Sequence, residues 1–134
     1  MAWIMTFFGH GTTTGFDLNV DSPKDWDNNG KYPVVMANSC YSGNIHLPSA
    51  SVSSISEEYV LISGLGAIAF LATPGLGDPR YLNTYTGRLH RHISELDYGK
   101  SLAEQMQLAA NSIAPNTANN NLELAYIGMG LEMT

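Results

Sequence analysis

Two short segments of this sequence carry residues whose chemistry is useful in combination. Gly9-His10-Gly11 sets an imidazole between glycines, and Asn38-Ser39-Cys40-Tyr41-Ser42-Gly43-Asn44 contains the single cysteine. A thiol attacks a carbonyl carbon as its thiolate. With a free pKa near 8.5, only a few per cent is ionised at neutral pH, so a cysteine nucleophile needs a neighbouring base. Histidine suits that task. Flanking glycines let backbone N–H groups approach a bound carbonyl closely, as an oxyanion site requires. A blander reading fits the same residues: Gly-His-Gly makes a turn, and a lone cysteine packs as a small hydrophobe. Spacing alone leaves both open.

Each candidate closes a short apolar run, and these runs define the elements that must hold the side chains. Ile4–Phe8 reads as a buried strand ending in the tight turn at His10. Residues 32–37 read as a second strand, ending at Asn38-Ser39-Cys40, and residues 66–72 as a third, ended by Thr73-Pro74-Gly75-Leu76-Gly77. Residues 12–20 read as loop. Ser22-Pro23-Lys24-Asp25 has the form of a helix start, with Ser as N-cap and Pro at the first position, stopped by Asn28-Asn29-Gly30 within two turns. Residues 55–62 suit a helix capped by Ser54, with Glu57 at the third position. Leu82, Tyr85, Leu89 and Ile93 form one helical face, and Leu102, Met106, Ala109 and Ile113 form another. A polar loop over 116–121 and a last strand within 122–133 complete the pattern. Strands without alternation, separated by helices, predict an α/β fold with a parallel sheet covered on both faces. In such sheets ligands bind at the carboxyl ends of the strands, where His10 and Cys40 fall if their strands are neighbours.

Other candidates are weaker. His90 and His92 are two apart on a predicted helix, about 200° from one another, so they cannot share a metal and read as solvated. Glu57 and Glu58 are adjacent, which suits charge at a helix N-terminus rather than a facing carboxylate pair. His46 is a rival base near Cys40, but no strand end presents it. No metal and no cofactor are expected.

Composition sets outer bounds. At 134 residues with 44% hydrophobic and 13% charged residues, the chain suits one soluble domain over 1–134. A net charge of −6 with six scattered basic residues argues against nucleic acid and acidic lipid. No apolar run approaches the 18 or so residues of a membrane span, and one cysteine cannot form an intrachain disulfide.

The segment Phe7-Phe8-Gly9-His10-Gly11, followed by Gly30-Lys31-Tyr32-Pro33-Val34-Val35-Met36-Ala37-Asn38-Ser39-Cys40-Tyr41-Ser42-Gly43-Asn44, resembles the gingipain family of cysteine peptidases. The resemblance continues through Ser54-Ile55-Ser56-Glu57-Glu58, Gly66-Ala67-Ile68-Ala69-Phe70-Leu71-Ala72 and Tyr98-Gly99-Lys100-Ser101-Leu102. It implies a caspase-like three-layer sandwich with a mainly parallel sheet. It also implies a polypeptide substrate, with His10 as general base and acid, Cys40 as the thioester-forming nucleophile, and the N–H groups of Gly11 and Cys40 as the oxyanion hole. Thr73, Pro74 and Gly75 would line the substrate cleft. Family members are mostly exported bacterial proteins; some digest proteins outside the cell and one group cleaves sorting signals in type IX secretion, and these residues do not separate the two jobs. Two rivals remain: a non-catalytic relative serving as an interaction module, and a Cys–His hydrolase acting on something other than peptides. In the family at least two strands precede the histidine, an upstream acid orients it, and a Gly-Asp-Pro motif follows. The expectation is therefore the C-terminal part of a catalytic domain, weak or inactive alone, whose partner is its own missing N-terminal part and whose exposed edges self-associate without it. The acid nearest the cleft loop is Asp78, and Pro79 after it suits helix capping rather than recognition of a basic substrate side chain.

Overall fold

A computed structural model describes residues 3–18, 20, 22–46 and 52–113. The predicted loop over 116–121 and last strand within 122–133 lie outside them. The described residues fall into two compact units that part between Gly77 and Asp78.

The first unit is built on a parallel sheet. Strand β1 (Ile4–Phe8) pairs with β4 (Val34–Asn38), which pairs with β5 (Ala69–Ala72), in the order β1-β4-β5. The central strand β4 is buried at all five positions, which explains its lack of alternation. Its Val35 and Ala37 share one face with Phe70 and Ala72 of β5. Helix α1 (Ile55–Leu61) covers that face with Ile55 and Tyr59. Trp26 packs edge-on to Tyr59 at 5.1 Å between ring centroids. The helix begins where sequence places it: Ser54 accepts from Glu57 N–H while the Glu57 carboxylate takes Ser54 N–H at 2.7 Å. Those bonds hold the Glu57 carboxyl below its ordinary value.

Two of the predicted strands begin later than their apolar runs. Pro33 has no N–H to give a ladder, and β4 starts at Val34. Gly66 is left-handed at φ +80°, so β5 begins only at Ala69. The Asn28 side chain clamps that glycine, donating to Gly66 O at 2.7 Å and accepting from its N–H at 3.1 Å. A β-carbon on Gly66 would stand 2.2 Å from Tyr59 O. Gly66→Ala therefore combines a left-handed penalty of about 1–2 kcal/mol with an overlap worth about 1–3 kcal/mol. The expected outcome in chemical denaturation is a loss of roughly 2–5 kcal/mol.

The stretch read as loop over 12–20 instead contains a small hairpin. Strand β2 (Gly11–Thr12) pairs antiparallel with β3 (Gly15–Phe16). The predicted helix at Ser22 is a single 3₁₀ turn, Pro23–Asp25, capped by Ser22 as expected.

The second unit contains helix α2 (Pro79–Arg91) and helix α3 (Leu102–Ile113). Asp78 caps α2, accepting from Arg80 N–H at 2.9 Å, and its other oxygen lies 2.9 Å from the Arg80 guanidinium. The Arg80 side chain, then its N–H, holds the Asp78 carboxyl below its ordinary value. Beyond Arg91 the helix widens into one π turn, His92–Leu96. This corrects the reading of His92 as solvated: it is buried, and Nδ1 lies 2.6 Å from Asp97 Oδ2. Lys100 Nζ takes the other Asp97 oxygen at 2.6 Å. The Lys100 ammonium first, and His92 second, hold the Asp97 carboxyl below its ordinary 3.8. A depressed carboxyl stabilises the fold above its unfolded value, and that contribution is lost as pH falls through the folded value. Melting followed by circular dichroism should therefore show acid destabilisation setting in below about pH 4, and Asp97→Asn should flatten that acid limb while lowering the melting temperature at neutral pH.

Among the described residues no helix is long and apolar enough to cross a membrane.

Candidate active site

The parallel register determines where the two motifs meet. The last paired positions of β1 and β4 are Phe8 and Asn38. His10 and Cys40 each stand two residues further on, leaving neighbouring strands at the same carboxyl edge. Neighbouring strands lie roughly 5 Å apart, within reach of an imidazole and a thiol. Three contacts keep the strand ends together beyond the ladder. Gly9 N–H donates to Asn38 O at 3.2 Å, and the Asn38 side-chain amide donates to Phe7 O at 3.2 Å. Gly11 presses on the residue before the cysteine: a β-carbon there would meet Ser39 Oγ at 2.9 Å and Phe16 Cδ1 at 3.0 Å. Only glycine fits without displacing them.

After Cys40 the chain turns sharply. Tyr41 is the one non-glycine residue with positive φ among the described residues, at +56°. Such a conformation costs about 1–3 kcal/mol and persists only where surroundings impose it. Here Tyr41 N–H donates to Gly75 O at 2.7 Å, and Tyr41 O accepts from Asn44 N–H at 3.1 Å. Inside the turn Ser39 and Ser42 are buried, their hydroxyls 2.8 Å apart. Gly43 N–H donates to Thr73 O at 2.9 Å.

The loop after β5 is thus stitched to the cysteine turn. Thr73 is buried, and its hydroxyl donates to Ser39 O at 2.8 Å and lies 3.1 Å from Gly75 O. Thr73 therefore braces the turn through its side chain, while Pro74 and Gly75 are half-buried and Leu76 is exposed. Cys40 is a half-buried free thiol, with Sγ 3.8 Å from Gly77 O. His10 is exposed, and so is His46.

The β2–β3 hairpin orients the amide at Gly11. Asp17 N–H donates to His10 O at 3.1 Å, which makes Gly11 and Phe16 a non-hydrogen-bonded pair. The Gly11 N–H therefore faces away from β3. Sequence reasoning missed this hairpin, whose sign was Thr13-Thr14-Gly15 between residues able to pair. A cavity of about 390 Å³, lined by Trp3, Gly30, Lys31, Tyr32 and Ile68, lies at the opposite, amino edge of the sheet. Among the described residues no three His, Cys, Asp or Glu side chains are placed to hold a metal ion.

Two solved structures share this architecture. The crystal structure of the Arg-specific cysteine proteinase gingipain R superposes with a TM-score of 0.81 at 11% identity. The complex of Porphyromonas gingivalis RgpB pro- and mature domains does so at 0.78 and 10% identity. Each match covers 98% of this chain, which spans 31% and 32% of the matched chains. The fold is thus the α/β, caspase-like fold of gingipain, with its parallel sheet. Residues 2–130 match Peptidase family C25, a family of cysteine peptidases, and the chain belongs to it. No curated protein matches the chain in sequence.

Proposed function

We propose that this chain carries the nucleophile and base of a cysteine endopeptidase, Cys40 and His10. The observation that supports this most directly is the β1–β4 register, which brings both residues to one sheet edge. His10 accepts the Cys40 thiol proton, and the thiolate attacks the scissile carbonyl to give a tetrahedral oxyanion. Its collapse leaves a thioester on Cys40 while His10 returns the proton to the leaving amine. Water then attacks the thioester with His10 again as base, releasing the acid and the free thiol.

The oxyanion is assigned to the N–H groups of Cys40 and Gly11. Tyr41 N–H is already engaged by Gly75 O, so the amide after the nucleophile is unavailable. Gly11 N–H faces away from its hairpin partner, which supports its assignment as second donor. Pro74 and Gly75 form one wall of the substrate cleft, with Thr73 bracing it from beneath. Asp78 is neutralised by Arg80, so these residues carry no free carboxylate for a basic side chain at the cleaved position. The residues of 1–134 are assigned to one peptidase domain, spanning about a third of the gingipain chains they match, and the protein acts after export.

The test uses the protein with an unfolded polypeptide mixture, reading new termini by mass spectrometry. Internal cleavage that disappears after alkylation of Cys40 with iodoacetamide is expected. Cleavage of esters but not peptides would favour the non-peptide hydrolase, and no cleavage of either would favour the interaction module.

A further inference from the structure

The peptide unit joining Ser39 to Cys40 supplies one of the two amides assigned to the oxyanion, and its carbonyl end is held by a side chain. Thr73 Oγ1 donates to Ser39 O at 2.8 Å. The described residues contain no cis peptide bond, so the C=O and the N–H of each unit point to opposite sides. Ser39 O points toward the loop after β5, where Thr73 stands, and the Cys40 N–H therefore points the other way, toward β1. The preceding unit has the reverse sense: Asn38 O accepts from Gly9 N–H, on the β1 side, at 3.2 Å. The alternation of an extended strand thus continues one unit past the end of β4. It turns the Cys40 N–H to the side on which Gly11 lies.

Both partners of that hydrogen bond are fixed. Thr73 is 3% exposed, and its own carbonyl accepts from Gly43 N–H at 2.9 Å, so side chain and backbone both tie it to the cysteine turn. Thr73 Oγ1 also lies 3.1 Å from Gly75 O, but a hydroxyl has one proton to give. Gly75 O already accepts from Tyr41 N–H at 2.7 Å, and the shorter contact, to Ser39 O, takes the proton. Ser39 cannot swing away: its hydroxyl donates to Ser42 Oγ at 2.8 Å, and its side chain is seated against Gly11. A hydrogen bond received at the carbonyl also polarises the amide and makes its N–H a stronger donor.

We propose that Thr73 is a positioning residue of the oxyanion site. Its hydroxyl holds the plane of the Ser39–Cys40 peptide unit, so that the Cys40 N–H converges with that of Gly11 on the oxygen of the tetrahedral intermediate. It also strengthens that donor as negative charge develops on the oxygen. Thr73 acts from beneath the cleft wall and touches neither the substrate nor the thiol.

This inference rests on the roles proposed for Cys40 and its amide, and its test separates the two. Thr73→Val, which replaces the hydroxyl by a methyl, and Thr73→Ser, which keeps it, are made in the protein. They are compared for kcat, KM, inhibition by a peptide aldehyde and the rate of Cys40 alkylation by iodoacetamide. The thiolate adds to the aldehyde to give a hemithioacetal whose oxygen occupies the oxyanion site, whereas alkylation displaces iodide at carbon and forms no oxyanion. Thr73→Val is expected to lower kcat by roughly 10–50-fold and to weaken the aldehyde by a similar factor, with KM and the alkylation rate within about two-fold of the parent. Thr73→Ser is expected to restore most of both losses. Should Thr73→Val not fold, Thr73→Ala is read against Thr73→Ser in the same way. If kcat and aldehyde affinity stay within about two-fold, or if Thr73→Ser is no better than Thr73→Val, the proposal is overturned. Alkylation slowed as much as kcat would overturn it as well, because the hydroxyl would then act on the thiol and not on the amide. If the parent protein forms no hemithioacetal on Cys40, the site reading itself has failed and the proposal falls with it.

Discussion

Cys40→Ala is expected to lower the peptidase kcat by at least about 10⁴-fold, because the acyl-enzyme route has no other nucleophile. The single cysteine stands beyond β4, where its thiol is half-buried and makes one weak contact, 3.8 Å to Gly77 O. Removing one sulfur from such a site costs about 1 kcal/mol or less, since little apolar surface is lost and no strong bond is broken. Activity and stability should therefore separate. A melting temperature within a few degrees of the parent, together with loss of turnover, is the expected pair of results. Loss of both would mean that Cys40 serves packing, the blander reading of a lone cysteine. Retained turnover would place the nucleophile elsewhere.

His10→Ala is expected to lower kcat by about 10²–10⁴-fold, the usual contribution of a positioned general base. His10 is exposed, so its loss should leave stability nearly unchanged. The same variant should react more slowly with iodoacetamide at neutral pH, because a thiol without its base is mostly un-ionised. Added imidazole should recover part of the rate, since the site is open to solvent. His46, the rival base, is also exposed and is held through its N–H to Asn44 Oδ1 at 3.1 Å. If His46→Ala rather than His10→Ala abolishes turnover, the β1–β4 edge is not the catalytic one.

The features legible in the sequence are those that depend on neighbours along the chain. The Ser54–Glu57 capping box, the Asp78-Pro79 helix start and the apolar stripes of α2 and α3 are local chemistry, and the structure has them. The run Ile4–Phe8 becomes β1 with its predicted bounds because glycines close it immediately. Features that depend on backbone conformation or on partners distant in sequence were harder to read. The left-handed Gly66 delays β5 beyond an apolar run that otherwise suits a strand from its first residue. The β2–β3 hairpin escapes because two-residue strands are too short to show alternation.

His92 shows a different failure. It stands three residues after Leu89 and seven after Tyr85, both buried, so a constant turn of about 100° per residue already puts it on the packed face; the polar side chain, and not the periodicity, suggests the solvated reading. Asp97 N–H then reaches back five residues to His92 O at 2.9 Å, and the Asp97 carboxylate meets the ring. Within the site, the sequence marks His10 and Cys40 as chemically able. Their meeting at one edge rests on β1 and β4 being neighbours in parallel register, a long-range pairing that spacing did not dictate.

The most direct measurement of the central claim is covalent trapping. The protein is treated with a peptidyl acyloxymethyl ketone, an electrophile that needs an activated thiol and a filled cleft, and the adduct is located by peptide-mapping mass spectrometry. The predicted result is a single thioether on Cys40 Sγ that is lost when the protein carries His10→Ala. Absence of an adduct on Cys40, or labelling there that is indifferent to His10→Ala, would contradict the assignment of Cys40 and His10 as nucleophile and base.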